Sequence, residues 1–297
     1  MRDQSWLWVV FTLIAAASQT VRNATQRGLT ASLGTAGATQ VRFLFGAPFA
    51  LVFLAGTVIA LSESLPRPPL IYGAWVTLGA LAQIAATALM LAAMNERAFV
   101  VVYAYTKTEP VQVALFGLIF LGDTVTPAMA AAIIVATAGV IIMALKPGTS
   151  SSIQATLLGL SSAASFALSV VGFRGAILTL DKSSYGMAAT FTLAVGLIMQ
   201  TVLLSLYLGL WQRRVLAAIF AHWRPSLFAG FMGALASQFW FLAFALATAA
   251  SVRTLALVEM LFAQAISRFV FKQAVSLREG LGIAAIVIGV VLLLWQG

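Results

Sequence analysis

The 297-residue chain has no cysteine, a single histidine and very few charged residues, which make up 8% of the total. Without cysteine the chain has no disulfides, no cysteine-ligated zinc site and no thiol catalysis. Acidic residues are fewer than basic residues, with eight Asp and Glu against 17 Lys and Arg. A soluble domain carries about 25% charged residues. The composition therefore excludes a cytosolic enzyme, a nucleic-acid-binding module and a disordered chain, despite a net charge of +9.

Hydrophobic residues dominate instead, at 62% of the chain, and the mean hydropathy is +1.02. A membrane-spanning helix needs about 20 mostly apolar residues. The apolar runs predict ten spans, at 6–26, 36–60, 71–94, 99–120, 126–145, 156–176, 187–209, 227–249, 252–272 and 280–296. The predicted fold is an all-α polytopic membrane protein, with the lipid bilayer as a partner and no separate globular domain.

The most polar and flexible stretch, 146–152, lies at the midpoint and divides the chain into two halves, 1–148 and 149–297. A shift of 150 residues aligns Glu109 with Glu259 and Gly139 with Gly289. Each half has five predicted spans, and because five is odd the second half enters the membrane inverted. Inverted repeats are typical of secondary transporters, whose site lies near the midplane where the halves meet.

Ionisable side chains inside the predicted spans are rare, and the deepest are Lys107, Glu109 and Glu259. Each costs about 2.5–3.5 kcal/mol to insert. Lys107 and Glu109 are two positions apart and point to nearly opposite sides of a helix. Each therefore requires a partner on another helix, a water-filled cavity or a substrate, so a structural ion pair and a transport cavity are both open interpretations. Pro110 removes a backbone hydrogen bond and predicts a kink or hinge beside them.

Other polar and aromatic side chains recur at helical spacing along single faces of the predicted spans. The further candidates for a substrate cavity are Gln19, Asn23, Gln83, Tyr103, Thr106, Ser165, Ser169, Ser237, Trp240, Phe241 and Phe244. For the serines, helix packing is the competing interpretation, and for the aromatic residues a core or lipid-facing position. A cavity with aromatic walls and few charges suits a small amphipathic solute. It does not suit a polyanion, which would require several arginines.

Motifs of enzyme chemistry are missing from the sequence. It has no Walker A loop for ATP hydrolysis, and its one histidine, His222, lies in a basic segment. No acidic cluster within a span is suited to holding a metal. We therefore expect a membrane transporter and not an enzyme, with no cofactor and no metal site.

The segment from Tyr105 to Pro110, followed by Leu121-Gly122-Asp123, resembles the ten-helix EamA-type exporters of the drug/metabolite transporter superfamily. Their fourth helix typically carries Glu-Pro and ends near Leu-Gly-Glu, so Asp123 stands where Glu is usual. The second half departs from the motif, since Met260 and not proline follows Glu259. The resemblance implies an inverted-repeat bundle with a cavity walled by helices 1, 3, 4, 6, 8 and 9. It also implies export of amino acids, other metabolites or drugs, with aromatic amino acids and toxic cations in the YddG-like branch.

Together these observations predict a secondary transporter that exports small amphipathic metabolites, most of all amino acids, by alternating access. Lys107 would meet a substrate carboxylate, and Glu109 or Glu259 its ammonium or a coupling proton. The first alternative is a nucleotide-sugar or phosphate-ester exchanger, which Leu257 disfavours because it stands opposite Lys107 in the repeat. The alternative of another class is a non-transporting scaffold or a lipid-modifying enzyme. We expect a monomer or a homodimer.

The loop charges and the family resemblance predict opposite orientations of the chain in the membrane. The side of the termini carries five basic residues: Arg2, Arg67, Arg174, Lys182 and Arg253. The other side carries nine: Arg22, Arg27, Arg97, Lys146, Arg213, Arg214, Arg224, Lys272 and Arg278. The positive-inside rule makes the side with nine cytoplasmic. The resemblance implies instead a multi-pass inner (plasma) membrane protein with cytoplasmic termini, and this is the topology we expect.

Overall fold

The computed structural model describes residues 6–96, 99–144, 153–262, 264 and 276–295, without the side chains of 27, 99–101, 103 and 144. These residues form helices and no strand. The helices are α1 (Leu7–Leu44), α2 (Gly46–Leu61), α3 (Leu70–Glu96), α4 (Phe99–Thr106), α5 (Glu109–Leu121), α6 (Pro127–Ala144), α7 (Ile153–Leu178), α8 (Tyr185–Trp211), α9 (Arg213–Ala221), α10 (Trp223–Leu246), α11 (Ala249–Leu255), a 3₁₀ turn (Ala256–Val258) and α12 (Leu277–Trp295). The predicted all-α class is confirmed.

Six helical segments of the described residues are long and apolar enough to cross a membrane. They are Gly28–Leu61, Leu70–Glu96, Ile153–Leu178, Tyr185–Trp211, Trp223–Leu246 and Leu277–Trp295. Large apolar side chains remain exposed on their outer faces, for example Ile59 and Leu206. In a bilayer these side chains contact lipid, and the helices satisfy their own backbone hydrogen bonds. The chain thus has the features of a multi-pass membrane protein.

The predicted break between the first two spans, at 27–35, contains a tight turn at Gly34 and no extended loop. The chain stays helical from Leu7 to Leu44 with one interruption at Gly34, whose φ of 66° lies in the left-handed region that glycine tolerates. The Gln26 side chain donates a hydrogen bond to the Ala38 carbonyl at 2.8 Å across this kink. Because residues 12 positions apart meet, the chain reverses direction here, and Gly34 forms the turn between the first two predicted spans.

The stretch 213–225 was predicted as a loop, and that prediction is wrong. It contains helix α9 and the start of α10. In α9, Ile219 is fully buried while Arg213 and Arg214 are exposed. Such an amphipathic helix suits the edge of a bundle at the membrane surface. Its arginines lower the local hydropathy, which is why a search for apolar runs passes over it.

Three helix pairs pack most extensively: α3 with α7, α1 with α10, and α6 with α12. Glycines permit the close approach. A Cβ atom on Gly139 of α6 would lie 2.7 Å from the Gly282 carbonyl oxygen of α12. A Cβ atom on Gly289 of α12 would lie 2.7 Å from the Ala132 carbonyl oxygen of α6. Small residues of this kind allow helix backbones to touch within a membrane.

Two helices are interrupted near the centre of the bundle. The first interruption separates α4, which ends at Thr106, from α5, which begins at Glu109. Pro110 occupies the first turn of α5, where its missing N–H leaves no hydrogen bond unmade. In the second, α11 passes into the 3₁₀ turn Ala256–Val258 and the chain becomes α-helical again at Glu259. Helix α11 packs against α5, so the two interruptions are brought together.

Candidate functional site

Two buried ion pairs connect the two helix interruptions. Lys107 forms an ion pair with Glu259, and Arg253 donates to Glu109. The four residues are between 1% and 7% exposed. Lys107 and Glu109 therefore each bind a residue of another helix and not one another, as their spacing predicts. Each pair joins the first half of the chain to the second.

Trp240 of α10 links the charged residues to an aromatic wall. Its ring centroid lies 4.6 Å from the guanidinium carbon of Arg253, within cation–π distance. Its indole N–H donates to Gln19 Oε1 at 3.1 Å. Its ring stacks on Phe244 with centroids 6.1 Å apart. A single side chain thus contacts α1, α11 and its own helix.

Two further arginines, Arg22 and Arg42 of α1, are buried beside α10, at 1% and 3% exposure. Both pack against Gly233, where an added Cβ would lie 3.2 Å from Arg22 Cδ and 3.3 Å from Arg42 Cγ. Arg22 donates to Asn23 Oδ1 from Nε at 3.1 Å and from Nη2 at 2.6 Å. Arg42 donates to Thr87 Oγ1 at 3.1 Å and lies 5.4 Å from the Phe43 ring centroid. Gly233 provides the space in which two like charges lie close together.

These residues surround two adjoining pockets. The one we call the charged pocket is lined by Gln19, Arg22, Asn23, Met90, Thr106, Lys107, Glu109, Phe166 and Arg253. The one we call the aromatic pocket is lined by Gln19, Arg42, Gln83, Phe166, Ser169, Val170, Phe173, Ser237, Trp240, Phe241, Phe244 and Arg253. Gln19, Phe166 and Arg253 belong to both. Each pocket has room for about one or two water molecules, so a solute the size of an amino acid enters only if the helices move apart.

Most of the sequence-predicted candidates lie on these pockets. Gln19, Asn23, Gln83, Thr106, Lys107, Glu109, Ser169, Ser237, Trp240, Phe241 and Phe244 line one or the other. Ser165 is half-buried and lines neither of the two, and Glu259 contributes through its ion pair with Lys107. The Tyr103 side chain lies outside the described residues. Pro110 is buried at the start of α5, and its hinge role remains a prediction.

The expectation that the site holds few charges is wrong. Arg22 and Arg253 were counted with the charges on the two membrane sides, yet both are buried on the charged pocket, and Arg42 lines the aromatic pocket. The polyanion argument rested on the assumed absence of these arginines and no longer holds. One signal could have found Arg253: it lies six residues before Glu259, within the predicted span 252–272.

The loop-charge tally changes as well. Arg174, counted with the charges on the side of the termini, is buried and donates to Asp123 Oδ1 and Oδ2 at 2.7 and 2.8 Å. Two of the five basic residues on the side of the termini (Arg174 and Arg253) and one of the nine on the other side (Arg22) are therefore not loop residues. Three and eight remain. All three arginines lie near the ends of predicted spans, which is why they were counted with the loop charges.

No family model matches the chain, and no curated protein matches it. Several solved structures match the chain, and one of them is a crystal structure that carries no functional description. The similarity covers 99% of each chain with a TM-score of 0.69, at 14% sequence identity. At this identity the likeness shows a shared fold alone.

Proposed function

We propose that the chain is a secondary transporter that moves small amphipathic metabolites, amino acids among them, by alternating access. The observation that carries the proposal is that the charged pocket and the adjoining aromatic pocket lie beside two buried ion pairs inside an apolar helical bundle. Buried ionisable groups are costly in a membrane and usually face a solute pathway or a partner. Interrupted helices at the midplane are how transporters expose backbone and side-chain groups to a substrate.

We also propose ten spans in two inverted five-helix repeats, as in the EamA-type exporters that the sequence resembles. The shift of 150 residues places the interruption at 107–108 within the 3₁₀ turn at 256–258. The contact of Gly139 with Gly282 and that of Gly289 with Ala132 are related by the same shift. The α3–α7 and α1–α10 packings also exchange with one another when the halves are swapped. This reciprocal packing supports a pseudo-two-fold axis between the halves.

Alternating access requires contacts between helix ends that close the pockets on one side of the membrane and that break when this side opens. Arg174 of α7 binds Asp123 at the end of α5, and its Nε donates to the Ala247 carbonyl at the end of α10 at 3.2 Å. One arginine thus holds three helix ends together on one side of the pockets. We infer that these contacts separate when the transporter opens on that side.

A phosphate-ester exchanger is the second candidate function. Arg22, Arg42 and Arg253 supply cations of the type that a phosphate group binds. A phosphate ester therefore belongs in the first transport panel beside the amino acids.

The test is transport by liposomes that contain only the purified protein. Labelled amino acids and glucose 6-phosphate are offered with and without a pH gradient. We expect saturable uptake of one class that unlabelled members of that class compete away, and a response to the gradient would indicate proton coupling. The double variant Glu109→Gln/Arg253→Gln should lose uptake. The matched control Arg67→Gln/Glu96→Gln removes one exposed charge of each sign and should retain uptake. Folded protein that moves none of these solutes would contradict the proposal.

A further inference from the structure

The buried site carries more positive than negative charge. Among the described residues around the pockets, the cations are Arg22, Arg42, Lys107 and Arg253, and the carboxylates are Glu109 and Glu259. Two positive charges are therefore in excess in a region that solvent barely reaches. A buried charge without a counter-charge is strongly unfavourable.

The rest of the described residues do not offer the missing carboxylates. The sequence has eight acidic residues in all. Of the six outside the site, Asp123 binds Arg174, Glu63 binds Ser184, and Glu279 binds Ser276. Glu96 and Asp181 are exposed, and Asp3 precedes the described residues. Neutralising the excess with the acidic residues that the structure describes would require one of them to leave its place.

Arg42 shows the imbalance most directly. Among the described residues it has no carboxylate within ion-pair distance, and its contacts are the Thr87 hydroxyl and the Phe43 ring. Its Nε is buried without a hydrogen-bond partner, as is the Ser169 hydroxyl on the same pocket. A planar guanidinium with a spare donor is well suited to bind a carboxylate at two points.

We propose that the aromatic pocket binds a small organic anion that has a flat apolar body and a carboxylate held by Arg42 and Arg253. The proposal rests on the proposed transport function and narrows its substrate class. The rings of Phe173, Trp240, Phe241 and Phe244 form the apolar wall, and stacking favours a flat body against them. The Ser169 hydroxyl is available to the ligand as an additional polar contact.

The charge excess disfavours zwitterions and cations as substrates. A zwitterionic amino acid has no net charge, so it leaves both excess positive charges in place. Glu109 Oε1 is buried without a partner and could accept an ammonium, but this carboxylate is already neutralised by Arg253. A cation adds to the excess. Of these three ligand types, only an organic anion reduces the excess positive charge of the site.

Three ligands with the same phenyl body test the proposal: 3-phenylpropionate is an anion, phenylalanine a zwitterion and 2-phenylethylamine a cation. Binding to the purified full chain in detergent is measured calorimetrically at neutral pH in a buffer low in chloride. We expect 3-phenylpropionate to bind at least about ten-fold more tightly than phenylalanine, since charge-assisted hydrogen bonds form in full only with the anion. We expect no saturable binding of 2-phenylethylamine. Equal affinities, tighter binding of phenylalanine, or displacement of the anion by an equal concentration of chloride would overturn the proposal.

Variants of Arg42 separate binding from structure. Arg42→Gln should weaken 3-phenylpropionate binding at least about ten-fold and raise the melting temperature of the ligand-free protein, because it removes an uncompensated buried charge. Arg42→Lys keeps the charge and should preserve the order of the three ligands. Arg67→Gln, which removes an exposed arginine, is the matched control and should change neither measurement. Unchanged anion binding by Arg42→Gln, or its failure to fold, would overturn the proposal.

The liposome assay distinguishes this proposal from the transport function on which it rests. Tight anion binding without transport of any solute would retain the anion site and refute the transporter. Transport of phenylalanine by a protein that shows no preference for the anion would retain the transporter and refute the anion site.

Discussion

Trp240 lines the aromatic pocket and contacts Gln19 and Arg253, which belong to both pockets. It holds Gln19 by a hydrogen bond, covers Arg253 with its ring and stacks on Phe244. A cation–π contact contributes about 0.5–2 kcal/mol, more when it is shielded from water. A sequence pattern can place Trp240 on a helix face, but the arginine it covers lies on another helix and is found only from the packing.

We expect Trp240→Leu to weaken substrate binding by about 5- to 30-fold, which corresponds to about 1–2 kcal/mol. The ring that covers Arg253 is lost, together with the N–H that binds Gln19. Trp240→Phe keeps an aromatic face and should have a smaller effect. Concentration-dependent uptake by liposomes measures both, and Trp211→Phe, at an exposed tryptophan, is the control. A larger loss for Trp240→Phe than for Trp240→Leu would show that the ring is unimportant.

The ion pair of Glu109 with Arg253 predicts strong coupling between the two residues. Glu109→Gln or Arg253→Gln alone leaves one buried charge without its partner and should lower the free energy of unfolding by about 3–5 kcal/mol. The double variant leaves no uncompensated member of the pair, so its loss should be well below the sum of the single losses. Denaturant unfolding in detergent measures the three values. Additive losses would mean that the two side chains do not interact.

Helices approach one another closely at the glycines of α6 and α12. A Cβ atom on Gly289 would meet the Ala132 carbonyl oxygen and the Ala136 amide nitrogen at 2.7 Å, and backbone atoms cannot turn aside. On the same helix, a Cβ atom on Gly280 would meet nothing within 4 Å. Both residues are glycines of the same helix, but Gly289 lies against α6 and Gly280 faces open space. Only the packing of the helices shows this difference.

We therefore expect Gly289→Ala to destabilise the protein by about 1–3 kcal/mol, since the helices must separate to admit the methyl group. Gly280→Ala should be neutral, or stabilising by up to about 1 kcal/mol, because alanine favours the helical state. Thermal unfolding of the two variants in the same detergent measures the difference. Equal melting temperatures would contradict the close approach of α6 and α12.

Helix ends are the part of each element that apolar patterns predict least well. The centres of the predicted spans coincide with helices, whereas α9 is helical where a loop was expected. This difference has a physical cause. Hydropathy reports whether a segment is apolar, while a helix continues through polar residues wherever its backbone hydrogen bonds and its contacts with neighbours permit.

On the scale of the whole molecule, the segments that flank α2 and α8 contact each other at both ends of these two helices. Glu63, just after α2, accepts a hydrogen bond from the Ser184 hydroxyl, just before α8. At the other end, Phe45 before α2 contacts Phe220 of α9, which follows α8, with ring centroids 6.3 Å apart. Helix α2 has 16 residues, or about 24 Å at 1.5 Å per residue. The two sets of contacts are therefore separated by most of a bilayer.

The absence of cysteine makes this arrangement testable with single introduced thiols. Ser64→Cys and His222→Cys, both at exposed positions, should react with an impermeant maleimide from opposite sides of the membrane. In intact cells one of them is labelled directly, and the other only after permeabilisation. The parent chain is the control and should not react. Labelling of both from one side would contradict the helix arrangement. The side that reacts directly also decides between the loop-charge tally and cytoplasmic termini.

Composition and local periodicity were enough to establish the all-α class, the long apolar helices and most of the residues on the two pockets. These properties depend on a residue and its near neighbours along the chain, since a helix repeats every 3.6 residues. The partner of each charge depends on which helices pack together. Lys107 binds Glu259, Arg253 binds Glu109, and Arg22 and Arg42 share the space over Gly233 because of contacts between residues distant in sequence. The surplus of positive charge in the site is a property of that packing, since the same arginines placed in loops would be solvated and would bind nothing.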